Sequence, residues 1–206
     1  MSAKNKRGML IILSGPSGSG KDTILTQLAK RDIGVQLSVS LTTRAPREWE
    51  IDGFHYYFVS KQSFMEKIHN DEVLEYAKYG DNYYGTPAAP VDQWLDEGKT
   101  VILKIEVQGA EKIRARYPDV VSLFLMPPSM EILEKRLRNR ESDSEEDIVK
   151  RMTIAKEEIA RSEEYDYIVV NDVVDYAVSD ICAIIQAERL RSGRMKYKVS
   201  EVLDHA

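Results

Sequence analysis

The sequence predicts a three-layer α/β fold in which helices cover both faces of a parallel sheet. Short apolar runs alternate along the chain with helical patterns, and the first run ends in a glycine-rich loop that opens a helix. A tyrosine-rich middle segment breaks this alternation. Strands alternating with helices are typical of parallel sheets, because a crossover must return the chain to the start of the next strand.

Composition and charge narrow the function classes. The chain has 206 residues, of which 43% are hydrophobic and 31% charged, which suits one folded domain with small insertions. The net charge of −5 gives no support for a nucleic-acid-binding protein, and no apolar run approaches the length of a membrane span. We therefore expect a cytoplasmic protein, monomeric or homodimeric, whose partners are small molecules rather than nucleic acid or membrane.

The main sheet is expected to contain five buried strands. Its apolar runs are residues 9–13, 35–39, 101–105, 120–125 and 167–170. Helical periodicity follows most of these runs, at residues 22–30, 108–116, 130–138 and 176–191.

The middle of the chain predicts a small inserted antiparallel lobe. Residues 54–59, 73–79 and 83–86 are short and rich in Tyr, Phe and Val, with a turn signal at 80–82. We expect a core of residues 1–34 and 98–206 and an inserted lobe of residues 35–97. The polar stretch 139–147 predicts a mobile lid at about residues 137–150.

A phosphate-binding loop follows the first strand. The motif G-x-x-x-x-G-K is supplied by Gly15, Pro16, Ser17, Gly18, Ser19, Gly20 and Lys21. Its glycines let amide groups turn toward phosphate oxygens, and the helix N-terminus and Lys21 add positive charge. Asp22 occupies the place where the motif usually has a Ser or Thr that binds Mg²⁺, and Thr23 follows.

A second anion site is indicated after the second strand. Two arginines three residues apart, Arg44 and Arg47, together with the hydroxyl of Tyr56, can fork onto a phosphate dianion. A carboxylate and a hydroxyl, as Glu75 and Thr86 offer, match the N1–H and N2–H₂ donors and the O6 acceptor of guanine. Adenine would set its N1 lone pair against that carboxylate.

These motifs together resemble those of guanylate kinases, in order and spacing, over roughly residues 8 to 190. The matching residues are Thr42, Thr43, Arg44, Arg47, Glu50, Gly53, Tyr56, Phe58, Glu75, Asn82-Tyr83-Tyr84-Gly85-Thr86, Glu106-Val107-Gln108-Gly109, Pro127-Pro128-Ser129 and Val170-Asn171-Asp172. The resemblance implies a P-loop kinase with ATP and Mg²⁺ as cofactors, which phosphorylates GMP and dGMP by in-line transfer.

The resemblance also implies a set of site residues. The acceptor would contact Ser40, Arg44, Arg47, Glu50, Tyr56, Glu75, Tyr84, Thr86 and Glu106. The donor would lie on residues 15–21 with Asp22, Thr23, Asn171 and Asp172. Charge on the migrating phosphoryl group would be offset by Lys21, Arg44, Arg136, Arg140 and Arg151.

Three positions depart from the family pattern: Asp22, Lys104 and Trp49. Lys104 stands where the family has a carboxylate that helps to hold Mg²⁺, so charge has been exchanged between two neighbouring positions. Either Asp22 pairs with Lys104, or Asp22 itself binds the metal. Asp22 and Lys104 also leave open a catalytically weakened, guanylate-kinase-like binding protein. A kinase for another nucleoside monophosphate is a third reading.

Overall fold

A computed structural model describes residues 7–31, 33–139 and 144–204 of the chain. The strands are Met9–Ser14 (β1), Val35–Leu37 (β2), Leu41–Thr42 (β3), Tyr57–Phe58 (β4), Val73–Tyr79 (β5), Asn82–Pro87 (β6), Thr100–Lys104 (β7), Val121–Met126 (β8) and Tyr167–Val170 (β9). The helices are Lys21–Ala29 (α1), Lys61–His69 (α2), Ala88–Asp96 (α3), Val107–Arg116 (α4), Met130–Arg138 (α5), Glu145–Ala160 (α6), Val174–Arg189 (α7) and Lys196–Asp204 (α8).

The main sheet is parallel throughout and has the strand order β2-β7-β1-β8-β9. All five apolar runs singled out in the sequence contribute a strand to it, so the predicted fold class is confirmed. The glycine loop follows β1, which lies at the centre of this sheet. Open parallel sheets bind ligands at the carboxyl ends of their strands, where this loop lies.

Both faces of the main sheet are buried, which explains its continuous apolar strands. Ile11 and Leu13 of β1 point into one core cluster, with residues of α1 and α7. Leu10 and Ile12, which alternate with them, point into the opposite cluster, with residues of α3 and α4. Because helices cover both faces of the sheet, the domain has three layers: helices, sheet and helices.

The smaller sheet has the order β4-β3-β6-β5 and is mixed. β3 pairs antiparallel with β6, and β6 antiparallel with β5, as expected for an inserted lobe. The expectation of a wholly antiparallel lobe was wrong at one pair, because β3 and β4 run parallel. The long connection between them, residues 43–56, returns the chain to the same end of the sheet. That connection carries the arginine motif.

Two findings concern the predicted division of the chain. β2 pairs with β7 in the main sheet, so the small sheet itself begins at Leu41. The helices α2 and α3 and the C-terminal α8 were not predicted from the sequence. The division at residues 35 and 97 stays a prediction.

The predicted lid lies between α5 and α6. Helix α5 ends at Arg138 and α6 begins at Glu145, where Ser144 and Asp147 form a capping box. Residues 140–143, including Arg140, lie outside the described residues, so the predicted role of Arg140 has no structural counterpart here. No helix in the described ranges is long and apolar enough to cross a membrane.

Candidate active site

The glycine loop adopts a conformation that only glycine tolerates at several positions. Gly18 has a φ of 90° and Gly20 a φ of 99°, both in the left-handed region. A Cβ atom at Gly18 would press on Leu133 and Leu137 of α5, and one at Gly20 would collide with the Asn171 amide. The glycines therefore allow α5 and the end of β9 to approach the loop closely.

Lys21 lies inside the loop that it follows. Its Nζ donates to the carbonyl oxygens of Gly15, at 2.5 Å, and Pro16, at 3.3 Å. The Ser19 amide closes a turn onto the Pro16 carbonyl at 3.0 Å. The ammonium group is thereby held against the loop backbone, while Ser17 is half-buried and Thr23 is exposed.

Asn171 and Arg136 brace the loop from the other side. Asn171 is buried, and its Nδ2 donates to the Ser19 carbonyl at 2.7 Å. Arg136 of α5 donates to the Asn171 carbonyl at 2.9 Å and to the Ser19 carbonyl at 3.5 Å. Asp172, one residue further, is exposed. The predicted donor residues from both ends of the chain thus meet at one place.

The arginine motif is organised by a carboxylate. Glu50 accepts two hydrogen bonds from the Arg44 guanidinium, at 2.7 and 2.9 Å, and one from the Arg47 amide at 2.8 Å. Its side chain is only 3% exposed. The hydrogen bonds from Arg44 lower the pKa of Glu50 to about 2. Glu50 is therefore ionised at neutral pH and fixes the direction of Arg44.

Aromatic rings line the remaining sides of this cluster. The Arg44 Cζ lies 5.6 Å from the centre of the Tyr56 ring, and the Tyr56 and Tyr84 rings meet edge to face at 6.0 Å. Arg47 extends outward, with its Cζ 5.9 Å from the centre of the exposed Trp49 ring. This cation–π contact gives a physical role to Trp49, which the sequence left unexplained.

Ser40 lies just before β3, and its carbonyl accepts a hydrogen bond from the Tyr57 amide at 2.9 Å. This bond joins the start of β3 to the start of β4. The half-buried Ser40 side chain is thereby placed at the base of the loop that carries Arg44.

A buried polar pair lies deeper in the small sheet. Thr86 donates its hydroxyl hydrogen to Glu75 Oε1 at 2.7 Å, and both side chains are almost fully buried. Burial raises the pKa of Glu75 above its ordinary value, although the Thr86 bond and Lys112 oppose this shift. A Cβ atom at Gly109 would lie 2.5 Å from Glu75 Oε2, so the start of α4 leaves room for this carboxylate only because residue 109 is glycine.

The register of the sheet explains why Glu75 points inward. The pairing of β5 with β6 shifts between Val73 and Tyr76, which marks a β-bulge. Val73 packs with Leu41 and Phe64 of the lobe, whereas Leu74 packs with residues of α3 and α4, so both faces of β5 are covered. The bulge sets Leu74 and Glu75 together opposite Thr86, so the carboxylate reaches the Thr86 hydroxyl and also lies against Gly109 of α4.

An ion pair joins the glycine loop to the neighbouring strand. Lys104 Nζ donates to Asp22 Oδ1 at 2.6 Å, which confirms the predicted pairing of the two exchanged charges. Burial acts to lower the pKa of Lys104, but electrostatic interactions with Asp22, Tyr56 and Glu106 and the hydrogen bond to Asp22 outweigh it and raise the pKa overall. Whether Asp22 also binds a metal stays a prediction.

Helix α6 contributes a residue that sequence reasoning missed. Glu158 is half-buried and interacts electrostatically with Glu106 and Lys21. Burial, followed by repulsion from Glu106, raises the pKa of Glu158 to about 7, and Lys21 opposes that shift. In the sequence Glu158 is one of many charges on a helix, and no local pattern distinguishes it. Arg151, seven residues earlier on α6, is half-buried on the same helix face.

The family model described as guanylate kinase matches residues 7–188. A guanylate kinase of Carboxydothermus hydrogenoformans is 49% identical over 94% of this chain and 95% of its own length. Another, of Halalkalibacterium halodurans, is 48% identical over 98% of both chains. The crystal structure of guanylate kinase from Anaplasma phagocytophilum is similar with a TM-score of 0.75 at 34% identity, over 94% of this chain and 92% of that chain.

Proposed function

Because this chain belongs to the guanylate kinase family, we propose that it transfers the γ-phosphate of ATP to GMP and releases ADP and GDP. It is an enzyme, a nucleoside-monophosphate kinase. GMP is proposed as the acceptor substrate because the hydrogen-bonding pattern of the buried pair Glu75 and Thr86 suits guanine. No observation favours the alternative of a binding protein without activity.

On the donor side, the amides of residues 15–20 hold the phosphates of ATP. Lys21, which donates to the Gly15 and Pro16 carbonyls in the structure, exchanges these partners for phosphate oxygens when ATP binds. Asn171 and Asp172 lie by the adenine. The bond from Asn171 to the Ser19 carbonyl supports this assignment, because it places the end of β9 against the loop.

On the acceptor side, Arg44, Arg47 and Tyr56 bind the phosphate of GMP, with Ser40 and Tyr84 beside them. The bidentate contact between Glu50 and Arg44 supports this arrangement, since an arginine already aimed loses little entropy on binding an anion. In this proposal Glu50 positions Arg44 and the Arg47 amide.

The guanine base binds to Glu75 and Thr86. The Glu75 carboxylate accepts from N1–H and N2–H₂, and the Thr86 hydroxyl turns its hydrogen from Glu75 Oε1 to O6 of the base. Glu106, exposed at the start of α4, is the remaining acceptor-side residue, and dGMP is accepted as well. The burial of Glu75 supports the proposal, because hydrogen bonds to a buried charged group discriminate strongly between bases.

The transfer itself is a single in-line step. An oxygen of the GMP phosphate forms a bond to the γ-phosphorus, and the bond from that phosphorus to the bridging β–γ oxygen breaks. ADP leaves with the electron pair of the broken bond. Lys21, Arg44, Arg136, Arg140 and Arg151 stabilise the charge on the migrating group, and closure of the lobes excludes water.

We propose that ATP binds with Mg²⁺. Magnesium in kinases is usually held by one or two carboxylates together with phosphate oxygens and water. The described residues contain no group of three or more His, Cys, Asp or Glu residues that would hold a metal alone. Asp22, beside Lys21, fits the role of a single carboxylate contact. When bound, the ion neutralises phosphate charge.

The localisation, metabolic role and oligomeric state of the enzyme are also proposals. We infer a cytoplasmic enzyme of purine nucleotide metabolism, monomeric or homodimeric, with no nucleic-acid partner. The net charge of −5 supports the last point, because nucleic-acid-binding proteins usually carry a basic face. Light scattering at several protein concentrations measures the oligomeric state.

A nucleotide panel tests the proposed activity. Purified protein is given MgATP with GMP, dGMP, AMP, CMP or UMP in turn, and ADP release is followed with a coupled spectroscopic assay. We expect turnover with GMP and dGMP, and a kcat/KM for AMP lower by about 10⁴-fold. Absence of turnover with GMP at saturating Mg²⁺ would contradict the proposal.

A further inference from the structure

Lys104 lies between the two halves of the site. It is the last residue of β7, so its side chain leaves the main sheet at the edge that carries the glycine loop. Its Nζ is 2.6 Å from Asp22 Oδ1, one residue after Lys21, and 5.7 Å from the centre of the Tyr56 ring. The same ring has Arg44 Cζ at 5.6 Å. The contacts thus run continuously from the donor loop to the acceptor arginines.

The contact with Asp22 does not by itself account for Lys104. The Lys104 side chain is 29% exposed, whereas that of Asp22 is 77% exposed. An ion pair with a largely exposed carboxylate contributes little to stability, because water screens it. A charged lysine drawn away from water in this way needs further anionic partners to offset its lost hydration.

The charge of Lys104 is secure across the neutral pH range. Burial acts to lower its pKa, yet Asp22, Tyr56 and Glu106 together raise the pKa above the ordinary lysine value. The ammonium group therefore keeps all three hydrogens for donation. Phosphoryl transfer requires such donors around the migrating group, where the charge is spread over three oxygens.

We propose that Lys104 is a further phosphate-binding residue of this enzyme, contacting the phosphoryl group as it passes between ATP and GMP. The inference rests on the proposed function. Asp22 holds the ammonium at the mouth of the site, and on nucleotide binding the ammonium exchanges Asp22 for phosphoryl oxygens. Lys104 keeps its protons throughout, and only its hydrogen-bond partners change.

A competing explanation is that Lys104 merely neutralises Asp22, which would otherwise repel the triphosphate. The two explanations differ in the double variant Asp22→Asn/Lys104→Met. If Lys104 only offsets Asp22, the double variant has the kcat of Asp22→Asn alone, because no charge remains to be offset. If Lys104 binds the phosphoryl group, the double variant is slower than Asp22→Asn alone.

The test measures kcat and the KM values for GMP and ATP in wild type, Lys104→Met, Asp22→Asn, the double variant and Lys104→Arg. We expect Lys104→Met to lower kcat by roughly 10–10³-fold with smaller changes in KM, and Lys104→Arg to retain most of kcat. Lys99→Met is the matched control. Lys99 immediately precedes β7, at its opposite end, and pairs with Glu97, also at 2.6 Å, so its loss should leave kcat unchanged.

Each outcome decides the proposal. A double variant slower than Asp22→Asn, with active Lys104→Arg, supports it, and a double variant as fast as Asp22→Asn overturns it. A Lys104→Met kcat within twofold of wild type also overturns it. Thermal unfolding is recorded for all variants, and Lys104→Gln with its Asp22→Asn partner replaces the Met pair if Met at 104 prevents folding. Failure of the proposed function is distinct, because wild type itself would then not phosphorylate GMP.

Discussion

Thr86 and Glu75 are joined by a hydrogen bond of 2.7 Å in the interior of the small sheet, from hydroxyl to carboxylate. Their strands are neighbours, and the bulge in β5 turns Glu75 toward Thr86. The pair is polar, buried and close to the start of α4, where Gly109 leaves space for the second carboxylate oxygen. Two predictions depend on this relationship.

Glu75→Gln should remove base selection. The amide replaces one acceptor oxygen by an NH₂ donor, which then faces the N–H groups of guanine. We expect kcat/KM for GMP to fall by about 10²–10⁴-fold with little change in the KM for ATP. Steady-state kinetics measure both values. Glu72→Gln, at an exposed carboxylate that pairs with Lys67, is the control, and a wild-type kcat/KM in Glu75→Gln would exclude base recognition by this residue.

Gly109→Ala should lower activity toward GMP without lowering the stability of the protein. Alanine favours a helix over glycine by about 1 kcal/mol, so α4 itself gains stability. Its methyl group would, however, lie 2.5 Å from Glu75 Oε2 and displace the carboxylate. We expect kcat/KM for GMP to fall by roughly 10–10²-fold while the melting temperature stays the same or rises. Gly193→Ala, where a methyl group meets nothing within 4 Å, should leave kinetics unchanged.

Glu50→Gln should weaken the acceptor clamp and alter acid stability. Without the carboxylate, Arg44 is no longer held in one direction, so we expect the KM for GMP to rise about tenfold with a smaller change in kcat. Arg44 lowers the pKa of Glu50 from 4.5 to about 2. The stability from this ionised group is therefore present above pH 4.5 and lost as the pH falls through about 2.

Acid unfolding of wild type and Glu50→Gln checks the second part, with circular dichroism between pH 5 and pH 2. The wild type should lose its stability advantage over the variant within this range. Glu48→Gln, in the same loop and exposed, is the control. Parallel acid profiles for wild type and Glu50→Gln would contradict the assigned partnership with Arg44.

Glu158→Gln should stabilise the protein at alkaline pH. Burial raises the pKa of Glu158 from 4.5 to about 7, so its contribution to stability is present below pH 4.5 and lost as the pH rises through about 7. At pH 8 the free energy of unfolding of the variant should therefore exceed that of wild type by about 1–2 kcal/mol. This value allows for solvent screening of a half-buried group. Urea unfolding at pH 5 and pH 8 measures the difference.

The neighbouring Glu157→Gln is the control for this profile, because Glu157 is exposed on the same turn of α6. A Glu158→Gln variant that lost stability at pH 8 would show that the carboxylate is better hydrated than its half-buried position indicates.

Local sequence was sufficient to predict the main sheet and the glycine loop that follows β1. A run such as residues 9–13 is apolar at every position because both faces of β1 are covered, and the glycines follow it directly. The pairing of Lys104 with Asp22 was one of two alternatives predicted from the sequence, since a strand end and a helix start meet at the same end of the sheet.

Features that depend on register or on distant contacts were not predictable. The placement of both Leu74 and Glu75 opposite Thr86 depends on the bulge, which strand alternation does not suggest. The parallel pairing of β3 with β4 arises from the path of a long loop. The position of Glu158 depends on how α6 packs near Lys21. The charge pattern along the helix does not indicate this packing.

The brace between Asn171 and Ser19 spans 152 positions of the chain. During synthesis on the ribosome, the glycine motif emerges long before the residue that supports it. A nascent polypeptide, or a fragment cut by a protease ahead of residue 171, therefore contains every glycine of the motif without the finished cradle. The capacity to capture a triphosphate should arise late, when the final strand of the sheet has docked.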